Sequence, residues 1–308
     1  MNVLVTGGAG FIGANLCRHL SRSTGVDAVV ALDDLSLGRR SNLDDVDARL
    51  IVGSILDPDA LATAAEGADA IVHLAALGSV PRSIIDPLGS HEVNASGTLA
   101  VLEEARRRND AHVVLASSSS VYGSIPTLPK HELLATRPLS PYGASKLAAE
   151  SYALSYQESL GLPVLAFRFF NVYGPLQAAD HVYAAVIPRF IDAAMNDRPL
   201  EIYGDGTQSR DFTYVDTVCS AITSALLDRV VHPAPVNLAF GEPHSLLEVV
   251  EELRHHFPDL TTEHADPRTG DIKHSDADCS VLNSLLPDVT PRPFVEGLAE
   301  TVRWFRER

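Results

Sequence analysis

The chain has 308 residues, with 40 Asp and Glu against 24 Lys and Arg, a formal net charge of −16. That balance excludes nucleic-acid binding through a general basic surface, and a 45% hydrophobic share without low-complexity tracts excludes a disordered chain. Cys17, Cys219 and Cys279 are scattered and odd in number, as expected of reduced thiols in a cytoplasmic protein, and no apolar stretch reaches the length of a membrane span.

The first predicted strand begins at Asn2, which leaves no room for a signal peptide. Asn2-Val3-Leu4-Val5-Thr6 is apolar and β-branched, as a buried strand is. Gly7-Gly8-Ala9-Gly10-Phe11-Ile12-Gly13 follows at once and leads into a helical stretch, residues 14–20. Glycines at this spacing allow a tight strand-to-helix turn and let backbone N–H groups approach a pyrophosphate, with a helix N-terminus facing the anion. A second strand, residues 28–32, ends in Asp33, twenty residues beyond Gly13. An acid there accepts from the adenosine ribose 2′-OH and repels a 2′-phosphate, so NAD is expected rather than NADP. Arg39 and Arg40 fall later, in a polar loop.

Strand and helix signals then alternate. Strands are expected at residues 49–52, 70–76, 112–116 and 164–169, with helices at 58–65 and 92–108 and a loop over 78–83. This alternation predicts an α/β fold with a Rossmann-type doubly wound parallel sheet. Ligands bind such sheets in the crevice at strand C-termini, where Asp33, His73, residues 117–120 and Asn171 all lie. Beyond residue 174 the pattern is less regular: a turn at 204–206, a helix at 217–227, a strand near 235–238, a capping box at Ser245 and Glu248, and a helix at 294–306. The expected division is a cofactor-binding domain over 1–174, with a segment near 205–240 returning to it. A smaller, interleaved substrate-binding α/β domain takes up most of 175–308.

Pro141-Tyr142-Gly143-Ala144-Ser145-Lys146 carries the chemistry. A tyrosine is a poor base near neutrality, its ordinary pKa being about 10. On a helix begun by Pro141, Lys146 sits one turn on along the same face, and its charge favours the phenolate. A serine hydroxyl from Ser117-Ser118-Ser119-Ser120 can share a proton moving to or from a substrate alcohol. Tyr-x-x-x-Lys occurs by chance on many helices, and here the glycine turn with Asp33 supplies the hydride acceptor that gives it weight. No histidines show metal-ligand spacing; His255 and His256 are adjacent and diverge on a helix.

Together these residues resemble the extended short-chain dehydrogenase/reductase family, and within it the NAD-dependent nucleotide-sugar epimerases and dehydratases. The likeness runs through residues 6–13, His73-Leu74-Ala75-Ala76, Asn94, the serine run with Val121-Tyr122-Gly123, residues 142–146, 168–175 and 204–212. It implies a cofactor site of Gly7, Gly10, Phe11, Ile12, Gly13, Asp33, Ser54, Ile55, Leu74, Ala75, Ala76, Asn94, Ser117, Tyr142 and Lys146. Ser54 stands where the family often has an aspartate, so it ranks below Asp33. The resemblance further implies that Asn171, Arg210 and Arg268 contact a nucleoside diphosphate, an anion that suits arginine's planar fork. It places Ser79, Ser118, Ser119, Ser120 and Tyr142 at the sugar, and a homodimer paired through the helices beginning near Glu92 and Tyr142.

Counted back from Val121, Ser118 takes the place of the catalytic hydroxyl. Sugar 4,6-dehydratases of this family carry an Asp-Glu pair next, and decarboxylating relatives a glutamate at the place of Ser120; this chain has Ser119-Ser120. Without those carboxylates elimination is disfavoured, and the expected reaction is inversion at C4 of a UDP-sugar through a 4-keto intermediate, with NAD retained. UDP-glucuronate, UDP-N-acetylglucosamine and UDP-glucose stay open as substrates. Residues 76–83 and 183–188 look like epimerases acting on UDP-N-acetylglucosamine or its uronic acid, and Arg189 is left between a substrate contact and a helix-surface residue. A dehydratase or one-way reductase is the alternative within the family, and a non-catalytic NAD-binding regulatory protein the alternative outside it.

Overall fold

The computed structural model describes residues 1–179, 184–266 and 273–308. Arg268 and Tyr183 therefore lie outside the described residues.

Among the described residues the strands are β1 Asn2–Thr6, β2 Ala28–Asp33, β3 Arg49–Val52, β4 Ala70–His73, β5 His112–Ser118, β6 Val164–Phe169, β7 Asn171–Tyr173, β8 Leu200–Tyr203, β9 Ser209–Tyr214, β10 Val236–Leu238, β11 Pro243–Ser245 and β12 Thr262–Ala265. The helices are α1 Phe11–Leu20, α2 Pro58–Ala64, α3 Val80–Ile85, α4 Pro87–His91, α5 Gly97–Arg107, α6 Pro141–Leu160, α7 Val186–Met195, α8 Val215–Leu227, α9 Leu246–Arg254, α10 Ser280–Leu285 and α11 Phe294–Arg306. Seven strands form one parallel sheet in the order β10-β6-β5-β4-β1-β2-β3. The winding reverses between β1 and β4, and in an open α/β sheet that point opens a ligand crevice at the strand C-termini.

Side chains alternate across β1 as a strand requires. Val3 and Val5 pack with Leu16 and Leu20 of α1 and Val218 and Ile222 of α8. Leu4 faces the other way, into a core shared with Leu61 of α2, Val101 and Leu102 of α5, and Ala153 of α6. Both sheet faces are thus covered, which explains why β4 and β5 are buried along their whole length. A separate core brings Ile187, Phe190 and Ile191 of α7 against Leu200 and Ile202 of β8, with Val249 and Leu253 of α9 and Leu298 and Val302 of α11. Two small sheets accompany it, β11-β9-β7 and β12-β8. Among the described residues no helix is long and apolar enough to cross a membrane.

Three expectations are corrected. The loop expected over 78–83 is partly helical: α3 begins at Val80 because the Ser79 side chain accepts from the Arg82 N–H and Pro81 occupies the first turn. The fourth strand stops at His73, and residues 74–76 leave the sheet towards the crevice. The helix expected from 92 to 108 opens with a π-turn, Glu92–Ser96, before α5; Asn94 sits within it.

Candidate active site

At the β1–α1 turn, close packing demands glycine. Gly7 has φ +70°, and a Cβ there would lie 2.8 Å from the Ala75 nitrogen; one on Gly13 would lie 2.0 Å from the Gly7 carbonyl oxygen. No side chain caps the N-terminus of α1, so the first amides of Phe11, Ile12 and Gly13 stay available to an anion. Asp33 closes the next edge. Its Oδ2 accepts from Ala9 N–H at 2.9 Å and its Oδ1 from Leu35 N–H at 2.8 Å. Burial pushes its carboxyl above the ordinary value, partly offset by those N–H donors. A Cβ on Gly38 would fall 2.7 Å from Asp33 Oδ1, so glycine lets the following loop fold over the carboxylate. A glycine cradle and an oriented acid fit a dinucleotide's pyrophosphate and ribose. Ser54 Oγ accepts from Leu56 N–H at 3.1 Å, and Ile55 packs on Gly97, where a Cβ would meet its Cδ1 at 2.5 Å.

The strand-end residues His73 and Thr6 act behind the crevice. Thr98 donates to the Asn94 carbonyl at 2.7 Å, so its oxygen accepts from His73 Nε2–H at 2.9 Å. Nδ1 is then the acceptor for the Thr6 hydroxyl at 2.7 Å, and Thr6 in turn accepts from Ala75 N–H at 3.3 Å. Burial, then the nearby charge of Lys146, pushes His73 down to about 3, so it is a neutral strut. It fixes where Leu74, Ala75 and Ala76 leave the sheet. Asn94 is placed as a clamp: Oδ1 accepts from Leu77 N–H at 2.8 Å, and Nδ2 donates to Leu77 O at 3.3 Å and Ser145 Oγ at 3.0 Å.

β5 delivers the serine run. Ser118 is buried, and its Oγ accepts from Ser120 N–H at 3.1 Å to start a 3₁₀ turn over Ser119–Val121 that holds Ser119 and Ser120 half-buried. Across from it, Ser140 caps α6 and Pro141 opens it, so Tyr142 lies in the first turn. Ser83 of α3 accepts from Tyr142 N–H at 3.0 Å, and Ser145 donates to Tyr142 O at 2.8 Å. The Ser118 hydroxyl lies near the Tyr142 phenol. The expected lowering of the Tyr142 phenol by Lys146 is not what the structure gives. Burial pushes Tyr142 above 10.0, and the nearby Ser118 hydroxyl acts the other way. Lys146 is itself buried, which takes it down to about 8 against the opposing pull of Glu150. Desolvation governs both groups, because a charge deep in the protein loses its water. Ser117 points elsewhere: its hydroxyl donates to Glu150 Oε2 at 2.6 Å.

A second cavity, about 280 Å³, lies beyond β7 and β9, and Asn171, Gln177, Arg189, Tyr203, Gln208 and Arg210 share its wall. Asn171 Nδ2 donates to the Asp211 carbonyl at 3.2 Å, which fixes the short β7 beside β9. Arg210 Nη1 donates to Ser209 O at 2.8 Å. It does not pair with Asp211, which is buried and accepts from Gly241 N–H at 2.9 Å. Arg189 is not a plain helix-surface residue, for it lines the cavity 5.3 Å over the Tyr203 ring and 3.8 Å from Glu201. Asn171 and Arg210 thus meet in one cleft. Ser79 stands half-buried at the α3 cap. Sequence reasoning missed Glu150, Ser83, Tyr203, Gln177 and Gln208; for Glu150 the signal was Arg168, a charge inside an otherwise apolar strand.

Comparison with known proteins bears on this geometry. The model of the NAD dependent epimerase/dehydratase family matches residues 3–239. A UDP-glucose 4-epimerase from Mycolicibacterium smegmatis is 36% identical over 320 residues, covering 100% of this chain and 99% of that protein. The solved UDP-N-acetylglucosamine 4-epimerase from Methanobrevibacter ruminantium M1 superposes with a TM-score of 0.93 at 38% identity, covering 99% of this chain and 98% of the other. A UDP-glucose 4-epimerase from Thermus thermophilus, solved in complex with NAD, gives a TM-score of 0.89 at 33% identity over 99% of both chains.

Proposed function

Because the chain belongs to the NAD-dependent epimerase/dehydratase family, we propose that it is a UDP-sugar 4-epimerase that inverts C4 through a transient 4-keto sugar. The observation that carries this is the Ser118 hydroxyl, close enough to the Tyr142 phenol to lower its pKa, followed along the chain by two more hydroxyl residues. A proton can leave or return at O4, while Ser119 and Ser120 offer no carboxylate to abstract at C5 or protonate O6.

NAD is the cofactor, and when bound it supplies hydride-acceptor and hydride-donor chemistry at C4. Gly7, Gly10, Phe11, Ile12, Gly13 and Asp33 hold its pyrophosphate and ribose. Once its own proton has been lost to solvent, Tyr142 as the phenolate takes the O4 proton, and Ser118 bridges that transfer. Lys146, buried beside Tyr142, holds positive charge near the phenolate as it forms, a contribution that grows when water is excluded. Asn171 and Arg210 grip the diphosphate, so the 4-keto sugar turns about its phosphate linkage and presents its other face while the nucleotide stays fixed. Tyr142 then returns the proton to the inverted oxygen. Arg189 beside Arg210 in the cleft supports a doubly charged diphosphate handle. UDP-glucuronate and UDP-N-acetylglucosamine are the proposed substrates, with UDP-glucose next.

The test is incubation of the purified protein with each of these three sugars without added cofactor, with C4 epimers resolved by NMR. Interconversion of one pair is expected. A 4-keto-6-deoxy product, or, in a parallel incubation with added reduced nicotinamide, its stoichiometric consumption, would overturn the reading. The proposed assembly is a homodimer, supported by Ile85 and Leu88, 74% and 81% exposed on helices packed beside α6; light scattering checks it.

A further inference from the structure

One buried carboxylate joins the helix of Tyr142 and Lys146 to the sheet. Glu150 and Arg168 are each 3% exposed. Glu150 Oε1 accepts from Arg168 Nη2 at 2.6 Å, and Oε2 accepts from Arg168 Nε at 3.0 Å. The same Oε2 accepts from the Ser117 hydroxyl at 2.6 Å. Three donors on two neighbouring strands, β5 and β6, thus converge on a single side chain of α6. Arg168 is braced in turn: it lies 4.7 Å over the Tyr122 ring, whose hydroxyl donates to Asn237 Oδ1 of β10 at 2.6 Å.

Stability alone does not account for this arrangement. Taking two charges out of water costs several kcal/mol per ion, and well-packed apolar side chains of similar volume serve a core about as well or better. What a two-pronged arginine–carboxylate contact adds is fixed distance and angle. The place where that geometry is fixed is informative. Ser117 immediately precedes Ser118 on β5, and Lys146 lies one turn before Glu150 on the same face of α6.

We propose that Glu150 is a positioning residue: it sets the separation between the end of β5, which carries Ser118, and the face of α6, which carries Tyr142 and Lys146, with Arg168 as its brace. The proposal rests on the reading of Ser118, Tyr142 and Lys146 as the reacting groups. A displacement of about 1 Å between such groups can cost a hundredfold in rate, so even a partial loss of register is measurable.

The test uses three variants of the full chain with whichever of UDP-glucose, UDP-glucuronate or UDP-N-acetylglucosamine turns over. The double variant Glu150→Gln/Arg168→Met removes both charges together, so neither is left buried alone. It is expected to lower kcat roughly tenfold or more, with KM nearly unchanged, because the diphosphate is gripped elsewhere. Ser117→Ala leaves the ion pair intact and removes one neutral donor; a smaller fall in kcat at unchanged KM is expected. Wild-type kcat in both variants overturns the proposal. If the double variant fails to fold, Ser117→Ala decides alone: wild-type kcat overturns, and lowered kcat at wild-type KM supports. Tyr142→Phe separates the two levels. Full activity there sinks the proposed function itself, whereas an inactive Tyr142→Phe beside wild-type kcat in the others sinks only the role of Glu150.

Discussion

Two arginine–glutamate pairs in this molecule use the same chemistry in opposite settings. Arg168 and Glu150, with side chains 4% and 4% exposed, meet at 2.6 Å behind α6. Arg189 and Glu201, 28% and 41% exposed, stand 3.8 Å apart at the substrate cleft. The first is dry, doubly hydrogen-bonded and fixed. The second is more exposed: Arg189 Nη2 donates to the Glu201 carbonyl at 3.2 Å, while the carboxylate stands off at 3.8 Å, where Coulomb attraction is weak. A pair of the first kind holds a geometry for chemistry, whereas a pair of the second kind can exchange its carboxylate for a ligand anion at little cost. On the proposed roles, the reacting end of the site is built rigid and the binding end adaptable.

That contrast can be broken or sharpened by measurement. The largest effect belongs at the rigid end: Tyr142→Phe should lower kcat by about 10²–10⁴-fold, the range for losing an acid–base group, while the protein still copurifies with NAD. Next, Arg168→Met alone strands the Glu150 charge in the core. It should cost about 3–5 kcal/mol, seen as a fall in Tm of about 2–4 °C per kcal/mol. An unchanged melting curve would erase the distinction between the pairs. At the adaptable end, Arg210→Ala should raise KM about tenfold or more by removing a charge-assisted contact, with kcat and Tm close to wild type. Arg189→Met should shift KM by less and change stability by under about 1 kcal/mol.

The smallest effect concerns Asp211, a buried carboxylate held by backbone N–H groups instead of an arginine fork. Burial pushes it up to about 6 from 3.8. The folded state therefore holds this proton more tightly than the unfolded chain. The resulting stability is full below the unfolded pKa and lost as pH rises through about 6. Asp211→Asn keeps an acceptor for Gly241 N–H without the charge. Its Tm relative to wild type should therefore be higher by a few degrees at pH 7.5 than at pH 5, as thermal scans at both values would show; an equal difference at both would mean that the carboxylate is not buried as a charge.

The rigid end was legible in the sequence because its parts are contiguous. The glycine turn, Asp33 and the serine run each occupy one short stretch at a strand end, Tyr142 and Lys146 share the opening turns of α6, and parallel winding brings strand ends together. The cleft was legible at Asn171 and Arg210, with Arg189 left open. Gln177, Arg189, Tyr203 and Gln208 come from separate loops, a helix and a strand, and no spacing along the chain relates them. Glu150 was hidden for a different reason. A glutamate in mid-helix reads as a solvated face, and its partner announced itself only as the one charge in Val164–Phe169, where burial demands a counter-ion. The phenol of Tyr142 went the other way from expectation because sequence spacing conveys proximity of charge but not loss of water.

The return of β10 to the sheet has a consequence for how the protein is made. Asn237 receives the Tyr122 hydroxyl and donates to the Lys130 carbonyl at 2.8 Å, so the brace behind Arg168 closes only once that residue has been synthesised. Chains emerge from the ribosome N-terminus first, and domains generally fold as units. A chain that ended before β10 would keep the Glu150, Ser117 and Arg168 contacts but lack the brace behind them.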